Sequence, residues 1–217
     1  MKDAVQRIVK NGNSSLLLDL AKRVGNAGPI DKTTESTNLV GVTVVRQVSP
    51  IGGGKGMVVK SAEEWNALPS DVKRIVVNGC DDYKREVLDL SRFAELEELT
   101  IGDGCFNYVS VMSISRLPKL KSVEIGEKSF QNESADSQLM VKNCPALVSL
   151  KIGNQSFKGF KRLELSEVKV LKSVVIGDGC FKECDLVLKE LKSVESVCVG
   201  SGSFEKSRHT VVESFIS

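Results

Sequence analysis

An eleven-residue pattern, written five times towards the C-terminus, restricts the fold more than any other feature of this sequence. The copies are LEELTIGDGCF from Leu96, LKSVEIGEKSF from Leu120, LVSLKIGNQSF from Leu147, LKSVVIGDGCF from Leu171 and VESVCVGSGSF from Val194. The glycines of successive copies are 24, 27, 24 and 23 residues apart. A period of this length is typical of solenoids, in which each coil buries its faces against its neighbours.

Each copy predicts one strand with a buried face. Apolar residues stand at its first, fourth and sixth positions, as in Leu120, Val123 and Ile125, and the fourth and sixth alternate with polar or variable residues. Glycine ends the strand, where a side chain would obstruct the turn or a neighbouring coil. A phenylalanine follows four residues later in every copy, which predicts a stacked core column formed by Phe106, Phe130, Phe157, Phe181 and Phe204.

The residue before each phenylalanine is serine or cysteine, so this position selects for small size. A second strand follows in every coil, because pairs of apolar residues alternate with other residues between the copies. The pairs are Leu88/Leu90, Met112/Ile114, Leu139/Val141, Leu163/Leu165 and Leu186/Leu188. The sequence therefore predicts a mainly β repeat protein with few helices and two short strands per coil of about 24 residues.

The opening of each copy, such as Leu147-x-x-Leu150-x-Ile152, resembles the Leu-x-x-Leu-x-Leu pattern of leucine-rich repeats. The segment Ile176-Gly177-x-x-Cys180-Phe181-x-x-Cys184 is similar to the signature of the BspA-like leucine-rich repeat family. The resemblance covers residues 72–217, with two departures: the family's proline after the strand is missing, and an insertion falls near residues 132–137. It implies a right-handed solenoid that is used for binding, often at cell surfaces, and that has no catalytic residues.

The N-terminal third predicts two further units. Residues 1–38 form a helical leader and a polar linker, and residues 39–71 form an N-terminal cap made of a hairpin and a short helix. Such a cap covers the open sheet edge that an array otherwise presents.

The hairpin joins a β-rich run at 39–48 to a strand that begins at Met57. Its glycine-rich turn at 51–56 is a weak candidate for a phosphate loop, because Lys55 precedes glycine rather than the serine or threonine that binds Mg²⁺. The helix over 60–70 begins at the N-cap Ser61, ends at Pro69, and is expected to anchor Trp65 onto the first coil.

Composition excludes several function classes. Charged residues make up 27% of the 217 residues and the net charge is only +2, so charge does not indicate a nucleic-acid partner. The chain has no run of 18 apolar residues and no secretory pattern at its start, which predicts no membrane insertion and a cytoplasmic location.

The six cysteines and one histidine do not form a metal-binding spacing, and we predict no metal and no cofactor. Cys105, Cys144 and Cys180 occupy repeat positions and are interpreted as reduced, buried thiols. A disulfide, either Cys180–Cys184 or between stacked coils, is the alternative.

Alternation along the strands also predicts which residues face outwards. On the leading strands these are Val76, Thr100, Glu124, Lys151, Val175 and Cys198; on the second strands they are Asp89, Ser113, Met140, Glu164, Val187 and Val211. Neither column repeats one donor, so neither matches a regular ligand lattice, and both suit a protein partner. The second column is the better candidate, since Met140, Val187 and Val211 make it the more apolar.

The function predicted from these residues is a non-catalytic scaffold that binds a protein through one solenoid face. Two alternatives are a cell-surface adhesion or recognition protein, and an enzyme acting on glycans through carboxylates such as Asp89, Glu124 and Glu164. At the C-terminus, residues 210–217 align with Leu186 to Ser193, the start of a further strand. Either the last coil is exposed and self-associates, or the chain is an N-terminal piece of a longer array.

Overall fold

The computed structural model describes residues 56–80, 84–207 and 209–213. The predicted leader and linker at 1–38, the strand at 39–48 and most of the glycine-rich turn at 51–56 lie outside the described residues.

Two parallel sheets make up the described part of the chain. The first sheet contains, in spatial order, β1 (Met57–Val59), β2 (Arg74–Val77), β4 (Glu98–Ile101), β6 (Ser122–Ile125), β8 (Ser149–Ile152), β10 (Ser173–Ile176) and β12 (Ser196–Val199). The second sheet contains β3 (Val87–Asp89), β5 (Val111–Ser115), β7 (Gln138–Lys142), β9 (Arg162–Ser166), β11 (Asp185–Lys189) and β13 (Thr210–Glu213).

The chain alternates between the two sheets from β2 onwards, so one strand from each sheet makes one coil. Neighbouring strands pair in parallel, and equivalent repeat positions lie opposite each other, as Val123 does with Leu150 and Leu150 with Val174. The protein is therefore a mainly β parallel solenoid of six coils, as the repeat predicts. The one helix in the described residues, α1 (Ala62–Asn66), is five residues long.

The core lies between the sheets and is filled by the residues that the alternation places inwards. The paired apolar residues of the second strands are all buried, from Leu88 at one end to Leu188 at the other. This confirms the assignment of inward and outward faces, since a shift of one residue would place these side chains in water.

The phenylalanine column is also confirmed. Adjacent ring centroids lie 4.5 Å apart for Phe130 and Phe157, 5.2 Å for Phe157 and Phe181, and 5.4 Å for Phe181 and Phe204. These three pairs stack with interplanar angles of 8° or less. Phe106 is tilted by 33° against Phe130. Offset stacking of this kind adds to the free energy gained by burying the rings.

A left-handed backbone conformation places each of these rings in the core. The φ angles of the five column residues lie between 49° and 57°. This conformation costs a residue with a side chain about 1–2 kcal/mol. Burial of a ring contributes about 1.5–3 kcal/mol, which offsets that cost.

The glycine that ends each leading strand is required by the coil before it. A Cβ atom built on Gly153 would lie 2.6 Å from the carbonyl carbon of Gly126, and one on Gly177 would lie 2.7 Å from the backbone nitrogen of Asn154. Neither glycine has a positive φ. Of the two reasons that the sequence offers, the close approach of the neighbouring coil is the one that applies.

The small residue before each phenylalanine does more than fit a narrow space. The hydroxyl of Ser156 donates to the carbonyl of Gly126 at 2.7 Å and accepts from the backbone N–H of Ser129 at 3.0 Å. Ser203 repeats this arrangement, and the thiol of Cys180 donates to the carbonyl of Gly153 at 3.2 Å. These hydrogen bonds join successive coils through groups that are buried.

Trp65 lies at the N-terminal end of the core, where it is 2% exposed and edge-on to Phe93 and Phe106 at 5.8 and 5.4 Å. The hydroxyl of Ser61 accepts from the backbone N–H of Glu64, so the predicted N-cap and anchor are confirmed. The predicted length is wrong, because the helix ends at Asn66 rather than beside Pro69.

β1 pairs in parallel with β2 and therefore continues the first sheet by one strand. The predicted insertion lies between β6 and β7, where the side chain of Asn132 accepts from the N–H of Ser134 and fixes a turn.

Among the described residues, none belongs to a helix with the length and apolar character that a membrane span requires.

Candidate protein-binding faces

The six candidate residues of the second sheet form one column. Strand register places them in the order Asp89, Ser113, Met140, Glu164, Val187 and Val211, each on a neighbouring strand. We call the outer surface of this sheet the second face. Six strands with about 4.8 Å between neighbours give it a length of about 24 Å from the first strand to the last. Asp89 and Val211 are exposed at its ends, while Ser113, Met140 and Glu164 are half-buried.

Two details of this face reduce its accessible apolar surface. Val187 points outwards but is only 5% exposed, and its neighbours in register are Glu164 on β9 and Val211 on β13. Met140 and Val187 are not adjacent, because Glu164 lies between them. The predicted apolar patch is therefore broken by a carboxylate, and Val211, at 38% exposure, is its most accessible member.

Glu164 is held in place at the centre of the column. Its carboxylate accepts from Nη2 of Arg162 at 2.9 Å and from the hydroxyl of Ser166 at 3.3 Å, both on the same strand. Ser113 is paired in a similar way with Ser115, at 3.1 Å between the hydroxyl oxygens. The centre of the face thus presents an oriented carboxylate beside the flexible, polarisable side chain of Met140.

The outer surface of the first sheet, which we call the first face, contains a repeat that the sequence interpretation missed. Serines stand in register on four successive strands, two residues before the column predicted to face outwards. They are Ser122, Ser149, Ser173 and Ser196. This column is separate from the two predicted columns, neither of which repeats one donor. In the sequence, this repeat is visible as serine at the third position of the eleven-residue pattern.

Charges on the first face are largely matched between coils. Lys151 donates to the carboxylate of Glu124 at 2.6 Å, and Arg74 donates to that of Glu98 at 2.7 Å. Exposed pairs of this kind each contribute at most about 1 kcal/mol, but they leave the face without a strong field of one sign. Val76 faces outwards here yet is 8% exposed.

Carboxylate catalysis needs two groups at a short, fixed separation, about 5–9.5 Å in glycosidases. Asp89 and Glu164 lie three strands apart, which corresponds to about 14 Å, and Glu124 belongs to the other sheet. No group of three metal-binding side chains occurs among the residues that the structure describes.

No disulfide joins any of the six cysteines, and five of them are buried. Burial raises the pKa of the Cys180 thiol to about 11, and burial also raises the pKa of Cys184 and Cys144. Thiols with raised pKa values are poor nucleophiles. The predicted burial of the thiols at repeat positions is confirmed, and Cys180 and Cys184 do not form a disulfide. Cys198 differs from the others because it is exposed.

A comparison with known protein families found none whose pattern matches this chain. No solved structure matches it either.

Proposed function

We propose that this protein is a non-catalytic scaffold that binds a protein partner through the second face. The proposal rests on one observation: six side chains of five kinds stand in register on neighbouring strands, over about 24 Å from the first strand to the last. A standard protein interface covers about 800 Å² on each partner. The second face, together with the turns that flank its strands, offers a surface of this order. A sequence of unlike groups suits an irregular surface better than a repetitive ligand.

The centre of binding is expected at Met140 and Glu164. A methionine side chain adapts to a partner's shape, and a carboxylate held by Arg162 and Ser166 loses little freedom when it accepts a further hydrogen bond. Residues at the centre of an interface contribute most of its free energy. The ends of the column, Asp89 and Val211, then form the rim.

We propose further that the solenoid is leucine-rich-repeat-like and right-handed, with residues 39–71 as its N-terminal cap. The apolar first, fourth and sixth positions of the repeat, which resemble Leu-x-x-Leu-x-Leu, support the first point. The strong preference of parallel strand connections for one hand supports the second. The closure of the core by Trp65 supports the third.

Binding is tested by a comparison of two single variants. The full chain is immobilised, retained proteins are identified, and the affinity of each purified candidate is measured for wild type, Met140→Glu and Val175→Glu. Val175 is the matched control, because it is also half-buried, outward-facing and on an inner strand, but on the first face.

We expect Met140→Glu to weaken binding at least tenfold, about 1.4 kcal/mol, while Val175→Glu binds as wild type does. Both variants should keep the wild-type circular dichroism spectrum. Equal affinity of all three proteins for every retained candidate would refute the second face as the binding surface, and a loss confined to Val175→Glu would assign binding to the first face.

A further inference from the structure

The turns that lead from the second sheet back to the first sheet form a continuous ridge along one edge of the solenoid. Equivalent residues of successive turns are joined by backbone hydrogen bonds of 2.8 or 2.9 Å. We call one such set the ridge column; in spatial order it contains Glu97, Lys121, Val148, Lys172 and Glu195. It lies between the two sheets and is therefore separate from the first face and from the second face.

The ridge column has the same order of side-chain types from either end, with a valine at its centre. Nζ of Lys121 donates to the carboxylate of Glu97 at 2.6 Å, and Nζ of Lys172 lies 3.1 Å from the carboxylate of Glu195. Each ammonium group is thus bonded to the coil that lies further from Val148. Lysine stems commonly cover apolar neighbours, but here both are directed away, and Val148 is 40% exposed.

A second valine extends this apolar opening. Val170 lies in the next turn and is 39% exposed, and Pro145 in the turn of Val148 is exposed as well. The turn over 143–148 contains no charged residue. The strands that follow these two turns, β8 and β10, each have a neighbour on both sides. The exposure of the two valines is therefore independent of how either end of the solenoid is covered.

Lysines surround the opening. Lys119 lies in the turn before that of Val148, and Lys169 in the turn after it. An ammonium group has three N–H donors, so Lys121 and Lys172 can each bind a further carboxylate while they keep their glutamate. Charge complementarity therefore favours an acidic partner. The apolar centre favours a peptide over a nucleic acid, whose phosphate chain offers no apolar group at this point.

The spacing of the charges fits an extended chain. Neighbouring turns are about 4.8 Å apart, so the backbones of Lys121 and Lys172 are separated by about 10 Å, and those of Glu97 and Glu195 by about 19 Å. The two ammonium groups lie between these limits. Residues i and i+4 of an extended peptide are about 13–14 Å apart, and their side chains point to the same side as that of residue i+2.

We propose that the ridge column binds an extended acidic segment of a partner protein with the pattern acidic-x-apolar-x-acidic. The apolar side chain packs on Val148 and Val170, and the two carboxylates accept from Lys121 and Lys172. This surface is additional to the second face, and its test gives an independent result.

The test uses a fluorescein-labelled peptide, Thr-Glu-Thr-Leu-Thr-Glu-Thr, whose anisotropy is followed as the full chain is added. We expect saturable binding that weakens as salt is raised, because salt screens exposed charges. Val148→Glu places a carboxylate between the two lysines and should weaken binding at least about tenfold. Val58→Glu should leave the affinity unchanged; this control valine is 54% exposed and lies on β1, in the first sheet.

An exchange of charges separates recognition from loss of the fold. The double variant Lys121→Glu and Lys172→Glu should no longer bind the glutamate peptide and should bind Thr-Lys-Thr-Leu-Thr-Lys-Thr, which the wild type should not bind. Both lysine side chains are exposed, so the double variant is expected to keep the wild-type circular dichroism spectrum.

Three results would overturn the proposal. The first is a wild type that gives no saturable change with the glutamate peptide. The second is binding that neither Val148→Glu nor a serine in place of the peptide's leucine weakens, because the lysines then bind carboxylates without the apolar contact. The third is a folded double variant that does not bind the lysine peptide.

Discussion

The substitution Gly153→Ala tests whether the coils are as close as the structure places them. A methyl group at this position would meet the carbonyl carbon and oxygen of Gly126 at 2.6 and 2.7 Å. Carbon atoms normally approach to about 3.5–4.0 Å, so the two coils would have to separate by about 1 Å. The backbone N–H of Gly153 donates to the carbonyl of Ile125 at 2.7 Å, and this separation would weaken that bond and its neighbours.

Insertion of a methyl group into a packed interior costs about 1–3 kcal/mol. We expect Gly153→Ala to lie at the upper end, about 3 kcal/mol, because the obstructing atoms belong to a hydrogen-bonded backbone rather than to a side chain that can rotate. Gly104 provides the matched control. Its φ is 65° and no atom lies within 4 Å of an added Cβ, so Gly104→Ala should cost only the left-handed conformation, about 1 kcal/mol.

The reverse substitution completes the set. Lys128 and Gly104 occupy the same place in successive coils, and Lys128 has a φ of 54°. Lys128→Gly should therefore stabilise the protein by about 1 kcal/mol, because glycine adopts this conformation without strain.

Urea unfolding of the four proteins measures these differences. Circular dichroism follows the strands, while fluorescence of Trp65, the one tryptophan, follows the N-terminal end. Coincident transitions are needed before free energies are compared, since repeat arrays can unfold in stages. If Gly153→Ala costs no more than Gly104→Ala, the coils are not in the close contact described above.

Three other substitutions or measurements address the core. Phe157→Ala should lower the free energy of unfolding by about 3–5 kcal/mol. The control Tyr108→Ala removes a ring that is 52% exposed and should change this free energy by about 0.5 kcal/mol or less. Equal effects of the two substitutions would contradict the phenylalanine column. Ser156→Ala should cost about 1–3 kcal/mol because it leaves two buried backbone groups without a partner, and Ser156→Cys should cost less, as a thiol fills this position in other coils. Burial raises the pKa of Cys180 to about 11. Cys180 and Cys184 should therefore resist a maleimide at neutral pH until urea unfolds the chain. Rapid labelling of either thiol in the native protein would place it at the surface.

The sequence predicts the coils well because their determinants are local and repeated. Five phenylalanines at one register specify a single column, and the alternation in each strand specifies which side chains face it. The sequence alone left two explanations for the glycine that ends each leading strand: a turn, or the close approach of a neighbouring coil. The choice depends on the distance between coils, which cannot be read from the sequence of one coil.

Contacts between strands were harder to predict. Val187 was correctly assigned to the outer surface, but its burial depends on neighbours about 24 residues away along the chain. The hydrogen bonds of Ser156 were missed because size alone explains an exchange of serine and cysteine, whereas both also donate a hydrogen bond.

The most direct test of the stacked coils is a nuclear Overhauser experiment on a deuterated sample in which only the phenylalanine rings carry protons. Stacking at the observed centroid distances of 4.5, 5.2 and 5.4 Å predicts cross-peaks from Phe130 to Phe157, from Phe157 to Phe181 and from Phe181 to Phe204. These rings are 23 to 27 residues apart in sequence, so only the solenoid brings them together. A spectrum without these three cross-peaks would contradict the fold and, with it, both proposed binding surfaces.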